Sequence, residues 1–140
     1  MTQPAPKPRR IVLDASVLVT ALGDGGAAGA LAREALRGQA DLHAPHLIDV
    51  EVTHALRGMV RRRTLEAAEA GEILGAALMF PLTRWGLAGL MPRAWELRNT
   101  VSSYDAAYVA LAEALDADLL TFDARLEGAS GPLCRIRVPG

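Results

Sequence analysis

The sequence predicts an α/β protein: a three-layer α/β/α arrangement around one parallel sheet of four or five strands. Two observations carry that expectation. Short apolar runs of strand length, beginning with "RRIVLD" at 9–14, alternate with longer segments of helical periodicity. Strands separated by helices build a parallel sheet covered on both faces.

The elements follow in order. After the strand at 9–14, "ASVLVTALG" (15–23) reads as a helix stopped by Gly23, and "GDGGAAG" (23–29) as a flexible break. "ALAREALRG" (30–38) has helical spacing, and "DLHAP" (41–45) is a short strand closed by Pro45. "HLIDVEVTHALRGMVRRR" (46–63) sets Ile48, Val52, Ala55, Leu56 and Met59 on one stripe and ends in three arginines suited to a helix C-terminus. A second helix over 64–80, opened by Thr64 and stopped by Pro81, completes a helical hairpin. "LTRWG" (82–86) is a weak strand, and 87–99 a helix disturbed or started by Pro92. "SSYDAAYVALAEALD" (102–116) is apolar nearly all round, the pattern of a buried helix. A strand over 117–123, a short turn "ARLEG" and a last strand over 133–138 end the chain.

At 140 residues the chain fits one domain, 11–140, preceded by a flexible tail at 1–10 that has three prolines and no apolar signal core. Hydrophobic residues make up 51 % and no apolar run approaches the ~18 residues of a membrane span, so a soluble, cytoplasmic protein with no membrane partner is expected. A single cysteine, Cys134, allows no internal disulfide and suits strand packing. The net charge of −1 does not advertise nucleic-acid binding, and of the fifteen basic residues only Lys7 is not arginine.

Chemistry concentrates in the acids. Asp14 lies inside the apolar stretch "IVLDASVLV", where an unpaired charge must be compensated. In an open parallel sheet, ligands collect beyond the carboxyl ends of the strands, and Asp14 and Asp123 both end strands on that rim. Glu51 flanks the stripe of its helix, and Asp105 is the lone acid in the first turn of an apolar helix. Each also has a purely structural reading: Asp14 and Asp123 suit helix N-caps, and Ser102 with Asp105 resembles a capping box. Taken together they imply more. Two carboxylates ~4 Å apart repel by roughly 4 kcal/mol at an effective dielectric near 20, so four ionised acids in one place require a cation. Oxygen ligands suit Mg²⁺, with Mn²⁺ a possible substitute, and no Cys/His set of zinc spacing competes; Pro45 separates His43 from His46.

The stretches "LDASVLV", "DVEVTHALR" and "YDAAYVALAEALDADLLTFD" resemble the PIN-domain nucleases, and within them the toxin ribonucleases of the VapBC type. The resemblance runs from residue 11 to 138 and implies a PIN-like fold in which Asp14, Glu51, Asp105 and Asp123 line one catalytic, metal-binding pocket, with Ser16 and Thr121 supporting it by hydroxyl contacts. It also implies RNA cleavage, a homodimer and inhibition by a VapB-like antitoxin. His54 departs from the pattern, standing where many relatives have Asn.

Metal-assisted attack of water on a phosphodiester would leave a 5′-phosphate and a 3′-hydroxyl. Arg98, Arg61 and Arg62 are the expected grips on the RNA backbone. Tyr104 and Tyr108 could stack on bases, but four apart on an apolar helix both are expected in the core, and Trp85 and Trp95 in the core or a dimer contact. Two rivals on the same architecture lack a required residue: a phosphorelay receiver needs a Lys beside its acids, and a haloacid-dehalogenase-type enzyme needs Asp-x-Asp where Asp14-Ala15-Ser16 stands. A PIN-like RNA-processing protein that is not a toxin, and a non-catalytic binding module stabilised by a cation, are the alternatives.

Overall fold

Ile11, Val12 and Leu13 are fully buried, which places their strand, β1 (Arg10–Leu13), in the middle of the sheet. The computed structural model describes residues 2–5, 9–38 and 41–140. The expected tail at 1–10 therefore lies partly outside the described residues. Five strands pair in the order β3-β2-β1-β4-β5, every neighbour parallel, with β2 at Asp41–Pro45, β3 at Thr83–Trp85, β4 at Asp118–Leu120 and β5 at Ile136–Arg137. The chain winds from β1 outward through β2 to β3, then crosses back to β4 on the other side of β1. That reversal opens a crevice beyond the carboxyl ends of β1 and β4.

The helices form two groups. On one side α1 (Ala15–Gly23) packs on α2 (Ala27–Leu36) and on the hairpin of α3 (Leu47–Arg61) and α4 (Ala67–Leu78). On the other, α6 (Ser103–Leu115) lies on β1, β2 and β4 with α5 (Met91–Glu96) behind it. Residues 106–112 of α6 are all buried, as its nearly unbroken apolar sequence requires. Ser102 caps this helix, its hydroxyl accepting the Asp105 N–H at 3.2 Å.

Several boundaries differ from the sequence expectation. Helix α2 starts at Ala27 inside the expected break, because Gly29 lets the helix run against the Asp24 carbonyl, which a Cβ would overlap. Helix α4 starts at Ala67 rather than Thr64: the Thr64 N–H and hydroxyl both bond back to Met59 O, at 3.0 and 3.1 Å, closing α3 while Arg63 takes a left-handed conformation (φ 60°). Segment 87–99 divides into a 3₁₀ turn (Ala88–Leu90) and α5, with Pro92 in the first turn of the latter. Strands β4 and β5 are shorter than expected, and "ARLEG" forms a one-turn helix, α7 (Ala124–Glu127).

Of the aromatic expectations, the core placement of Tyr104 needs correction, and neither tryptophan lies in the core. Tyr108 is buried, but Tyr104 is 64 % exposed, since it precedes the part of α6 that the sheet covers. Trp95 is 69 % exposed beneath the Arg98 guanidinium. Trp85, 39 % exposed, lies on edge strand β3, where its indole N–H donates to His43 Nδ1 at 3.0 Å. Because an indole nitrogen only donates, Nδ1 accepts and Nε2 carries the proton given to Asp41 Oδ1 at 2.7 Å. Both ring nitrogens of His43 are thus occupied within the protein. Cys134 is half-buried just ahead of β5, and burial pushes its thiol up to about 11. Among the described residues no single helix is long and apolar enough to cross a membrane.

Candidate functional site

Asp14 follows β1 directly, and its N–H still donates to Leu120 O of β4 at 3.0 Å, so the sheet itself fixes its backbone. Its carboxylate does not cap α1. Instead Oδ2 accepts two hydroxyls, Ser16 Oγ and Thr121 Oγ1, each at 2.9 Å. Both hydroxyls are held in turn: Ser16 Oγ accepts the Phe122 N–H (3.3 Å) and Thr121 Oγ1 accepts the Asp123 N–H (3.0 Å). Asp14 is thereby oriented by the segment that carries Asp123.

Glu51 enters from α3 and Asp105 from the capped first turn of α6. Together with Asp14 and Ser16 they line one open cavity of about 670 Å³, whose apolar lip is Leu47, Val50 and Tyr104. Glu51 Oε1 is buried with no hydrogen-bond partner, an unusual position for a carboxylate oxygen. Burial, and then the negative charges of Asp14 and Asp105, hold the Glu51 pKa above the ordinary glutamate value against the opposing effects of Tyr108 and His54. Asp105 is raised as well, by burial first and then by Asp14 and Asp123. The Tyr108 hydroxyl beside Glu51 is buried without a hydrogen bond of good geometry, and its pKa is driven upward by burial first and then by Glu51.

Asp123 stands slightly apart. It lines an adjoining cavity of about 330 Å³ that shares Asp105 with the first. The reason is Arg125, whose guanidinium holds both Asp123 oxygens at 3.1 Å and keeps its carboxyl below the usual aspartate range. Three of the four acids thus share one cavity and the fourth is its immediate neighbour.

A family model for the PIN domain matches residues 11–131, and the chain is 42 % identical over 129 residues to the VapC9 ribonuclease of Mycobacterium tuberculosis, spanning 91 % of this chain and 97 % of the relative. The chain belongs to the PIN-domain family, among the VapC ribonucleases. VapC1 of the same organism is 41 % identical over 128 residues, covering 91 % of this chain and 96 % of its own length. Solved structures agree in fold. This PIN domain superposes on M. tuberculosis VapC20, a toxin that cleaves the sarcin-ricin loop, with a TM-score of 0.67 at 17 % identity over 84 % of this chain and 93 % of that one. DNA-bound VapBC of Salmonella typhimurium gives 0.69 at 12 % identity over 94 % and 99 %.

The donor set of this PIN domain fits a hard divalent cation. Its acids supply carboxylate oxygens beside the Ser16 hydroxyl, with His54 as the one imidazole on the wall, and burial together with the mutual repulsion of the acids raises Glu51 and Asp105 despite that imidazole. Among the described residues, no three acid, histidine or cysteine side chains are already gathered around one point at metal-holding distance.

The expected RNA grips lie elsewhere. Arg98 turns onto Trp95, 4.7 Å from the ring centroid and 3.0 Å from its carbonyl oxygen. Arg61 and Arg62 sit at the far end of α3, about 15 Å along the axis from Glu51. None of the three lines either acidic cavity. Arg125 does; its segment has the sequence of a turn, and the Asp123-x-Arg125 spacing is the signal in the sequence that points to it.

Proposed function

We propose that this VapC-family PIN domain is a divalent-metal-dependent endoribonuclease, Mg²⁺ being the natural ion and Mn²⁺ a substitute, and that it acts as the toxin of a toxin–antitoxin pair in the cytoplasm. The observation that carries the reading is the convergence of Asp14, Glu51 and Asp105 from β1, α3 and α6 on one cavity, with a buried, partnerless Glu51 oxygen inside it. A bound divalent ion would neutralise the phosphate and lower the pKa of an attacking water.

The chain's own residues prepare that chemistry. Ser16 and Thr121 saturate Oδ2 of Asp14, a residue that lines the cavity. Glu51 and Asp105 bring further carboxylate oxygens to the same wall, beside which an attacking water would be held. The water oxygen would bond to phosphorus as the P–O3′ bond breaks, the proton lost by the water and the one gained by the leaving O3′ being exchanged with solvent, and the products carry a 5′-phosphate and a 3′-hydroxyl. Residues Asp14, Glu51, Asp105 and Asp123 are assigned to hold the ion.

The partner follows the same reasoning. The apolar lip of Leu47, Val50 (66 % exposed) and Tyr104 beside an acidic floor suits a peptide with apolar and basic side chains, as a VapB-like antitoxin would present. Exposed Leu78, Met79 and Trp95 offer surface for a homodimer. The test is degradation of RNA that requires Mg²⁺ and stops with EDTA, with 5′ ends sequenced after brief expression of wild type and of Asp14→Asn. Loss of all cleavage in the variant with an unchanged circular dichroism spectrum is expected. A fully active Asp14→Asn protein would remove the basis of the assignment.

A further inference from the structure

One side chain occupies both oxygens of Asp123. Arg125 donates from Nε to Oδ1 and from Nη2 to Oδ2, each at 3.1 Å, and its backbone N–H adds a bond to Oδ1 at 3.0 Å. The Arg125 side chain is 91 % exposed while that of Asp123 is 29 % exposed, so the fork reaches back over the acid from solvent. Among the described residues Arg125 is also the one cationic side chain on the wall of the second cavity, where Thr100 and Ser102 contribute neutral polar residues. This cavity adjoins the acids through Asp105, which lines both.

We propose that Arg125 is a phosphate-binding residue held in reserve: it covers Asp123 while no divalent cation is bound, and grips a backbone phosphate of the RNA in the second cavity once a cation claims that acid. This rests on the nuclease reading above. A guanidinium fork that engages both oxygens of a carboxylate competes with a hard cation for their lone pairs, and a dication arriving at Asp123 repels Arg125. The planar fork that fits a carboxylate also fits a phosphate. Exchange is easy because the pair is exposed and holds weakly. The adjoining cavity is within reach without any backbone movement, since Arg125 already lines it.

Two measurements test this on the full chain. In Mn²⁺ titration calorimetry without RNA, Arg125→Ala should bind the ion about three-fold tighter, having lost the competitor, as suits an exposed charge pair. Arg125→Lys, which keeps the charge but not the fork, should fall nearer to Arg125→Ala than to wild type. In cleavage of a labelled single-stranded oligoribonucleotide at saturating Mg²⁺, Arg125→Ala should raise KM about ten-fold with kcat within about two-fold, and reduce the salt-dependence slope by about 0.7. Arg125→Lys matching wild type in Mn²⁺ affinity, or an unchanged KM and salt slope in Arg125→Ala, overturns the role of Arg125 alone. Absence of Mn²⁺ binding by wild type overturns this proposal together with the nuclease reading.

Discussion

Thr121 and Asp14, 107 residues apart in the chain, are joined by a 2.9 Å hydrogen bond that fixes a carboxylate at the end of β1 to the segment following β4. Thr121 is fully buried, and its hydroxyl also accepts the Asp123 N–H at 3.0 Å. One oxygen therefore sets the positions of two acids. Thr121→Val preserves shape and removes both bonds, leaving a buried N–H unpaired. Unfolding free energy by urea titration should fall by about 1–3 kcal/mol, and cleavage should fall at least about ten-fold, as for other groups that orient metal ligands. Thr121→Ser should recover most of both.

Gly29 carries a structural prediction away from the site. Its Cα faces the Asp24 carbonyl so closely that a Cβ would overlap backbone, which has no rotamer by which to escape. Arg33 Nη1 also donates to Asp24 O, at 2.7 Å, pinning the same group. Gly29→Ala should destabilise by about 3 kcal/mol despite the better helix propensity of alanine. Thermal melts at neutral pH would show it, and a variant as stable as wild type would mean that α2 shifts freely.

The layered fold was legible because periodicity alone separates buried strands such as Ile11–Leu13 from amphipathic helices such as α3. What escaped is what depends on partners distant in sequence. Tyr104 and Tyr108 occupy the same helical face, yet only Tyr108 reaches the region that the sheet covers. Trp85 is held by His43, a residue 42 positions away on the neighbouring strand. The acids stood out as isolated charges in apolar segments, a contrast local to each segment. Their allocation between two cavities did not, because it follows from the Arg125 fork, and Arg98 drew notice on charge while its stacking on Trp95 lay hidden.

Arg93 ties three segments together. It donates to Glu113 (2.7 and 3.2 Å), to Glu96 (3.0 Å) and to the Gly131 carbonyl (2.9 Å), while Glu113 Oε2 accepts the Leu133 N–H (2.8 Å). Burial acts to raise the Glu113 pKa, but the Arg93 and Leu133 bonds outweigh it and the net direction is downward. A lowered carboxylate gives stability that is present above its ordinary range and is lost as pH falls through the folded value. Arg93→Ala should therefore lose about 2 kcal/mol at pH 7, and its stability should decline less steeply than that of wild type between pH 5 and about pH 3. Urea titrations across that range would check both.

Glu51 gives the opposite sign. Its pKa is raised, by burial first, so between the ordinary glutamate value and the raised one the folded state binds more protons than the unfolded chain. Its contribution is fully present below the ordinary value and lost as pH rises through the folded value. In EDTA at pH 7.5 the wild type therefore carries a partly buried, uncompensated charge, and Glu51→Gln relieves it. After discounting for the partial exposure of the side chain, the variant should melt about 3 °C higher in EDTA, and the gap should close as pH is lowered toward 4.5. Saturating Mg²⁺ should reverse the order, because only the wild type gains the full binding free energy, while cleavage by the variant falls by about 100-fold or more. Calorimetric melts with and without Mg²⁺ at the two pH values separate these effects, and equal melting temperatures in EDTA at pH 7.5 would show that the buried Oε1 carries no penalty for the ion to relieve.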